Sequence, residues 1–402
     1  MDRLRTGCRW QGQAGKGAGL FLSGHQAWPP LPNPPLIRRS RRPSCTEQIA
    51  GRIVAREWGG FAIFKYNPAL DGLRAMAVLF VLAHHCEVPY FGGGYSGVDL
   101  FFVLSGYLIT TILRNEVAGS GRLNFGAFYW RRALRLWPPL LMMLALYALS
   151  APWFFPKADV ATDVLLAGTY LSDYSRAFWG VPDYIRHTWS LSVEEHFYLL
   201  WPLMIVGTAK WSGRRLVALF GLIFIIATMW RVVDAALFLN WERLYFRFDT
   251  RFSGLMLGAT VAVLPWRPGR SADLIAAVSL TAFALIVVFL KYRWQFPVWT
   301  IFVDLASAGL VLAVAGAPGR VSAVLSWRPI VYVGLLSYSI YLVNYPIVRA
   351  MDHQFSVVTT LSVTLIGSLI LAALCFEFVE RPLRAYRHRV SRPPLIESAR
   401  AD

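Results

Sequence analysis

A chain of 402 residues that is 56% hydrophobic and 15% aromatic, with a mean hydropathy of +0.46, is too apolar for a water-soluble domain and reads as a polytopic membrane protein. Its formal charge of +17 lies between the apolar runs rather than inside them, the pattern of basic membrane loops and not of a nucleic-acid-binding surface. Cys8, Cys45, Cys86 and Cys375 show no CxxC spacing and no clustering with histidine, so neither a metal site nor a disulfide framework is expected.

Residues 1–66 are set apart by "PPLPNPP" and the basic "RRSRR", and their apolar stretches are too short for a signal peptide. They are expected to form a disordered cytoplasmic extension whose arginines touch anionic lipid. From residue 68 onward, ten apolar segments approach the length of about 20 residues needed to cross a bilayer. They run over 70–88, 97–114, 136–156, 189–208, 214–233, 252–266, 272–290, 299–316, 329–348 and 355–376. The expected fold is therefore all-α, an integral membrane bundle of about ten transmembrane helices over 67–380, followed by a basic tail over 381–402. "ATDVLLAGTYL" (161–171) is short and carries Asp163, so it reads as an amphipathic piece of a loop. With the N-terminus inside, the arginine-rich loops all fall on one side, which places both termini in the cytoplasm and the chain in the plasma (inner) membrane.

The first segment, "LDGLRAMAVLFVLAHHC", holds Asp71, Arg74, His84 and His85. Eleven helical steps separate Arg74 from His85, within about 20° of three whole turns, so the two share a face and stand roughly 16 Å apart along the axis. His84 falls off that face, and Asp71 lies one turn from Arg74 and pairs with it. A single such residue reads as a snorkelling arginine or a satisfied core histidine. Three on one stripe read as the lining of one interior cavity linking the two sides of the bilayer, with His85 able to take a proton from a hydroxyl.

"GGGYSGVDLFFVLSGYLIT" (92–110) places Asp99 in a first helical turn, where a carboxylate also favours the helix dipole, and Ser105 and Gly106 in mid-span, where small residues allow close packing. "FYWRRALRLWPPL" (128–140) sets Arg131, Arg132 and Arg135 at the inner surface ahead of a proline-started helix; topology and the binding of a phosphate-rich donor both account for them. In "HTWSLSVEEHFYLLWPL" (187–203), Ser192 and Glu195 have capping-box spacing, whereas Glu194 with His187, Trp189 and Ser190 makes an outward-facing set suited to a sugar-like acceptor. "YFRFDTRFSG" (245–254) adds Arg247, Asp249 and Arg251, either as a salt-bridged loop or as a pocket wall.

Taken in order, "LDGLRA" with the Arg74–His85 spacing, "GVDLFFVLSGYLI", "FYWRRALRLWP", "HTWSLSVEEHFYLLWP", "FDTRFSGLMLG", "LSYSIYL" and "FVERPLR" closely resemble the acyltransferase 3 family of membrane O-acyltransferases, across about residues 66–388. The resemblance implies a ten-helix enzyme with no permanently bound cofactor, taking an acyl group from a cytoplasmic acyl-CoA, with acetyl-CoA the default, to a hydroxyl of an extracytoplasmic carbohydrate or lipid-linked glycan. It carries the family's Arg–His pair onto Arg74 and His85, and its Trp-Ser-Leu pattern onto Trp189, Ser190, Leu191, Glu194, Phe197 and Tyr198. One departure stands in "SYSIYLVNYP": many members have Trp-His where this chain has Val343 and Asn344, and an asparagine exchanges no proton, so that position is excluded as an acid or base. No fused esterase-like domain is expected after the tenth segment.

On these grounds His85 is the expected base, with Asp99, Ser105 or an arginine stabilising the oxyanion, Glu194 joining the catalytic group, and Arg74, Asp71, Arg131, Arg132 and Arg135 holding the donor. His187, Trp189, Ser190, Arg247, Asp249 and Arg251 are the expected acceptor contacts. A covalent acyl-enzyme on Ser105 or His85 is the competing route. A transporter of a polar or acylated metabolite and an anchoring protein are the competing classes; only the enzyme consumes acyl-CoA.

Overall fold

The computed structural model describes residues 66–290, 296–316, 319–351 and 354–383. The expectations for the N-terminal extension before residue 66 and for the tail beyond 383 lie outside the described residues. Within them the regular structure is helical: α1 Pro68–His85, α2 Gly97–Ser120, α3 Phe125–Phe154, α4 Val160–Gly168, α5 Ser172–Trp179, α6 Trp189–Gly207, α7 Gly213–Phe238, α8 Trp241–Phe246, α9 Phe248–Val263, α10 Ala272–Phe289, α11 Phe296–Gly316, α12 Arg320–Leu325, α13 Arg328–Met351 and α14 Val357–Cys375.

All ten expected segments are helices, and among the described residues seven helices are long and apolar enough to cross a membrane: α2, α3, α7, α10, α11, α13 and α14. The chain is thus a multi-pass membrane protein. The other three, α1, α6 and α9, fall short for a physical reason. They bear the polar side chains, among them Asp71, Arg74 and His85 on α1 and Glu194 on α6, and α9 is only 16 residues long. Neighbouring helices cover them: most residues of α1 and α9 are buried, whereas α14 buries only Thr364, Ser368, Ala372 and Cys375. A helix sheathed by protein tolerates charge that a lipid-facing helix does not.

Local chemistry sets the ends. Asn67 accepts from the Ala69 N–H at 3.1 Å, with Pro68 opening α1. Asn124 accepts from the Ala127 N–H at 2.9 Å and starts α3 well before the expected proline boundary; the helix runs on through Pro138, Pro139 and Pro152. The Tyr338 hydroxyl donates to the Leu136 carbonyl at 2.8 Å, supporting backbone at the proline-interrupted turn. The 161–171 segment forms α4 and leads into α5, both too short to span.

Two close contacts hold the central helices. A Cβ added at Gly106 of α2 would stand 2.0 Å from the Leu255 carbonyl oxygen of α9, and one at Gly258 of α9 the same 2.0 Å from the Val103 carbonyl oxygen of α2. Each helix uses its glycine to seat the backbone of the other. On the opposite flank, Gly334 of α13 lies against the Asp71 carbonyl of α1.

Candidate functional site

Helices α1, α2, α6 and α13 border two cavities spaced along α1. The first, about 230 Å³, lies at the start of α1 and is lined by Asp71, Arg74, Ser105, Arg132, Arg135 and Glu194. The second, about 210 Å³, lies at its end and is lined by His84, His85, Arg186, His187, Trp241 and Tyr245. Val98 of α2 and Tyr341 of α13 line both and form the wall between them. Arg74 and His85 therefore share a stripe of α1 but not one open cavity. The expected continuous line is instead divided between two cavities, whose linings share Val98 and Tyr341 from two other helices.

In the first cavity, Arg74 pairs with Asp71 at 3.1 Å, and Asp71 also accepts from the Tyr66 hydroxyl at 2.8 Å. Ser105 is not a packing residue: its hydroxyl donates to Glu194 Oε1 at 2.7 Å, while Tyr198 donates to Glu194 Oε2 at 2.9 Å. The Arg132 guanidinium stacks 3.5 Å from the centre of the Tyr198 ring. The result is a carboxylate held by two hydroxyls beside a set of guanidinium groups. That arrangement suits an anionic ligand at the arginines and a polar reacting group at the serine.

The second cavity is built around an imidazole whose tautomer is fixed. Asn344 donates both amide hydrogens within its own helix, to the Ile340 carbonyl at 2.9 Å and the Tyr341 carbonyl at 2.8 Å. Its Oδ1 is left facing His85 Nδ1 at 2.7 Å. An amide oxygen only accepts, so His85 carries its proton on Nδ1 and presents Nε2 as a lone pair. His187 Nε2 donates to the Leu342 carbonyl at 2.9 Å, and its Nδ1 is buried without a hydrogen-bond partner. Tyr345 lies against both rings, with centroids 4.8 Å from His85 and 5.3 Å from His187. Arg186 stacks on Tyr345 and has no carboxylate partner among the described residues, whereas Glu242 is taken by Arg176 at 2.7 Å. Although His84, His85 and His187 line one cavity, no three metal-ligating side chains converge among the described residues.

Several expected site residues stand elsewhere. Asp99 lines neither cavity; it is buried in an ion pair with Arg251 at 2.9 Å, and Arg251 is enclosed by the rings of Phe102, Trp189, Tyr245 and Phe296. Beside this pair, Ser253 bridges Arg231 at 2.6 Å and Asp304 at 2.7 Å. Buried charges are kept where they are paired, and this cluster ties α2, α7, α9 and α11 together rather than facing a ligand. Arg247 is bound to Asp234 at 2.9 Å and also pairs with Asp249, making the salt-bridged junction, not the pocket wall. Arg131 pairs with Glu116 at 3.1 Å and lines neither cavity. Glu194 and His187 do not form one set: Glu194 belongs to the first cavity and His187 to the second, with Ser190 in the first and Trp189 in the second. Ser192 is not an N-cap either. The helix starts at Trp189, and the Ser192 hydroxyl instead accepts from the Ser172 N–H at 3.2 Å. Cys86 and Cys375 are buried free thiols.

Asn344, Tyr341, Tyr345, Arg186 and Val98 were not among the expected site residues. A signal for three site tyrosines was present: Tyr338, Tyr341 and Tyr345 recur at helical spacing on α13, and line the first cavity, both cavities and the second cavity in turn.

Residues 67–379 match the family model described as an acyltransferase domain, named Acyl_transf_3. The chain is 28% identical over 348 residues to the peptidoglycan O-acetyltransferase OatA of Listeria monocytogenes, a match covering 80% of this chain and 56% of that protein. It is 30% identical over 354 residues to the putative peptidoglycan O-acetyltransferase YrhL of Bacillus subtilis, covering 81% and 56%, and 30% identical over 352 residues to the O-acetyltransferase OatA of Staphylococcus aureus, covering 80% and 57%. The chain thus spans about half the length of the curated relatives it matches. No solved structure matches it.

Proposed function

The chain belongs to the acyltransferase 3 family, and from that premise we propose that it moves a small acyl group, acetyl by default, from cytoplasmic acyl-CoA to a hydroxyl of an extracytoplasmic carbohydrate or lipid-linked glycan. The observation that carries this reading is the His85 Nδ1–Asn344 Oδ1 contact of 2.7 Å, which leaves Nε2 as a base in an aromatic-walled cavity beside a second cavity rich in arginine. Peptidoglycan, named for the Listeria relative, is the first acceptor to test.

The donor enters at the first cavity, where Arg74, Arg132 and Arg135 neutralise its phosphates and the pantetheine arm carries the thioester toward the wall. The acceptor occupies the second cavity against Trp241 and Tyr245. His85 Nε2 takes the proton of the acceptor hydroxyl, and the oxygen attacks the thioester carbonyl. The tetrahedral intermediate collapses with cleavage of the carbon–sulfur bond, and the imidazolium returns its proton to the departing thiolate. The Ser105–Glu194 hydrogen bond of 2.7 Å favours a second route, in which Glu194 takes the Ser105 proton, Ser105 Oγ attacks the thioester, the carbon–sulfur bond breaks and the thiolate leaves with that proton; the acceptor hydroxyl then attacks the acyl-serine and its proton returns to Ser105. Mass analysis of protein quenched with acetyl-CoA alone separates them, since only the second route leaves an acylated Ser105.

The test is acyl transfer by purified protein in vesicles, with acetyl-CoA on one side and a peptidoglycan-derived disaccharide on the other. His85→Ala is expected to lower transfer by at least about 10²-fold, the range for a general base. Turnover close to that of the unsubstituted protein eliminates the assignment.

A further inference from the structure

The histidine-lined cavity carries a surplus of positive charge. Among the described residues that line it, Arg186 is the one guanidinium and Glu242 the one carboxylate, and that carboxylate is already engaged. Arg176 holds Glu242 at 2.7 Å and Asp183 at 3.2 Å, and Arg349 reaches Asp183 at 3.4 Å. Two carboxylates and two guanidiniums cancel in that group, which leaves Arg186 over. Building on the acyl-transfer reading above, we propose that Arg186 is an anion-recognition residue of the acceptor site, and that the acceptor is an acidic saccharide with a carboxylate or phosphate close to the hydroxyl presented to His85.

The backbone fixes where this cation stands. Arg186 opens a short helical turn, Arg186–Thr188, that leads directly into α6, and its N–H donates to the Asp183 carbonyl at 3.3 Å. Its guanidinium lies 5.1 Å from the centre of the Tyr345 ring, and the same ring packs 4.8 Å from His85. One tyrosine ring thus touches both the cation and the base, and all three residues line the cavity. A ligand with its hydroxyl at His85 Nε2 therefore has a guanidinium within reach of the same sugar or the adjoining one. The other arginines at this end of the bundle make the contrast: Arg176, Arg243, Arg247 and Arg349 each have a carboxylate partner.

The chemistry of the lining then sorts an acceptor by three of its parts. Trp241 and Tyr245, stacked on each other with centroids 4.8 Å apart, offer an apolar face to a sugar ring. His85 Nε2 accepts from a hydroxyl. Arg186 supplies a planar fork of donors that matches the oxygens of a carboxylate or a phosphate two at a time. Between aromatic walls its charge is screened less than on an open surface, so the attraction for an anion is retained at ordinary salt. A neutral acceptor that covers this guanidinium leaves it without a partner, and an unmatched charged donor costs more than the missing contact alone.

The experiment uses the purified full chain in vesicles with acetyl-CoA and two matched pairs of acceptors. One pair is the peptidoglycan-derived disaccharide with its lactyl carboxylate free and the same disaccharide with that group capped as the N-methylamide. The other is the anomeric phosphate of N-acetylglucosamine and its methyl glycoside. The charged member of at least one pair is expected to have a kcat/KM about 10–100-fold above its neutral partner, expressed mainly in KM, the range for a hydrogen bond to a charged group. A preference in the carboxylate pair alone assigns the anion to a sugar acid, and one in the phosphate pair alone to a sugar phosphate; either supports the site. Arg186→Gln is expected to bring the ratio close to one, and Arg186→Lys to keep part of it. Each ratio compares two acceptors on one preparation, so a variant that yields less folded protein still reports it. No preference in either pair by the unsubstituted protein, or a preference that survives Arg186→Gln, overturns the anion site and leaves acyl transfer intact. Calorimetric titration of the charged acceptors without acetyl-CoA separates the remaining failures. Binding weakened by Arg186→Gln with no turnover on any acceptor supports the anion site and overturns the acyl-transfer reading, whereas neither binding nor turnover overturns both.

Discussion

Under the proposed mechanism, Asn344 cannot exchange a proton itself but serves a residue that would, His85. Its amide hydrogens are spent on two carbonyls of its own helix, so its oxygen is the only group it can turn to His85, and the ring has one tautomer available. A carbonyl-type partner of this kind aligns a base without adding a charge to a buried site. Asn344→Leu removes the partner and frees the ring to rotate or to move its proton to Nε2, where it no longer accepts. The expected outcome is a kcat lowered by about 10–100-fold with the KM for acetyl-CoA little changed, since the donor is held in the other cavity. Asn344→Asp, which keeps an acceptor at that position, is expected to recover more activity than Asn344→Leu. Equal kcat in the two variants, or a loss expressed in KM, would show that Asn344 only fills space.

At the scale of elements, the pairing of α2 with α9 makes the site rigid. A side chain at Gly258 meets a carbonyl oxygen at 2.0 Å, and that atom belongs to backbone that cannot turn away. Gly258→Leu is therefore expected to cost at least the roughly 1–3 kcal/mol of ordinary overpacking and to lower the melting temperature of the detergent-purified protein. At Gly221 in α7, a Cβ would meet no heavy atom within 4 Å, so Gly221→Ala is expected to be neutral or to gain up to about 1 kcal/mol from helix propensity. Thermal unfolding of the two purified variants checks the contrast, and equal melting temperatures would refute it. The same elements mark what the sequence made legible. Ten apolar runs gave ten helices, because burial and lipid both demand internally hydrogen-bonded backbone. Angular arithmetic placed Arg74 and His85 on one stripe, since that depends on α1 alone. It did not reveal the division into two cavities, because Val98 and Tyr341 come from other helices, seated on α1 by Gly97 of α2 against the Ala77 carbonyl and Gly334 of α13 against the Asp71 carbonyl. Asp99 and Arg251 read as site residues for the same reason: a charge inside an apolar run announces burial, but only the packing of α2 on α9 shows that the two neutralise each other.

For the whole molecule, charge asymmetry and cavity chemistry point the same way. Arg114 donates to the Thr208 and Ala209 carbonyls, Val321 N–H to Asp273, and Gly72 lies against the Leu325 backbone, so these helix ends share the end of the bundle that holds the Arg74 cavity. Lys210, Arg214, Arg215, Arg267, Arg270, Arg320 and Arg328 follow or precede those contacts within a few residues. At the other end, Asp183, Glu242, Asp234 and Asp249 balance Arg176, Arg349, Arg243 and Arg247 in ion pairs. Excess Lys and Arg mark cytoplasmic loops, whereas carboxylates contribute little to orientation. The arginine cavity is thereby expected to open toward the cytoplasm, where acyl-CoA is made, and the His85 cavity toward the outside. Single cysteines test this in a background with Cys8 and Cys45 replaced by serine, since Cys86 and Cys375 are buried. A membrane-impermeant maleimide is expected to label exposed Lys157→Cys in intact cells and exposed Arg215→Cys only after permeabilisation. The reverse pattern would put the donor cavity on the side that has no acyl-CoA, and transfer from the cytoplasmic coenzyme to an external hydroxyl through this wall would then be physically excluded.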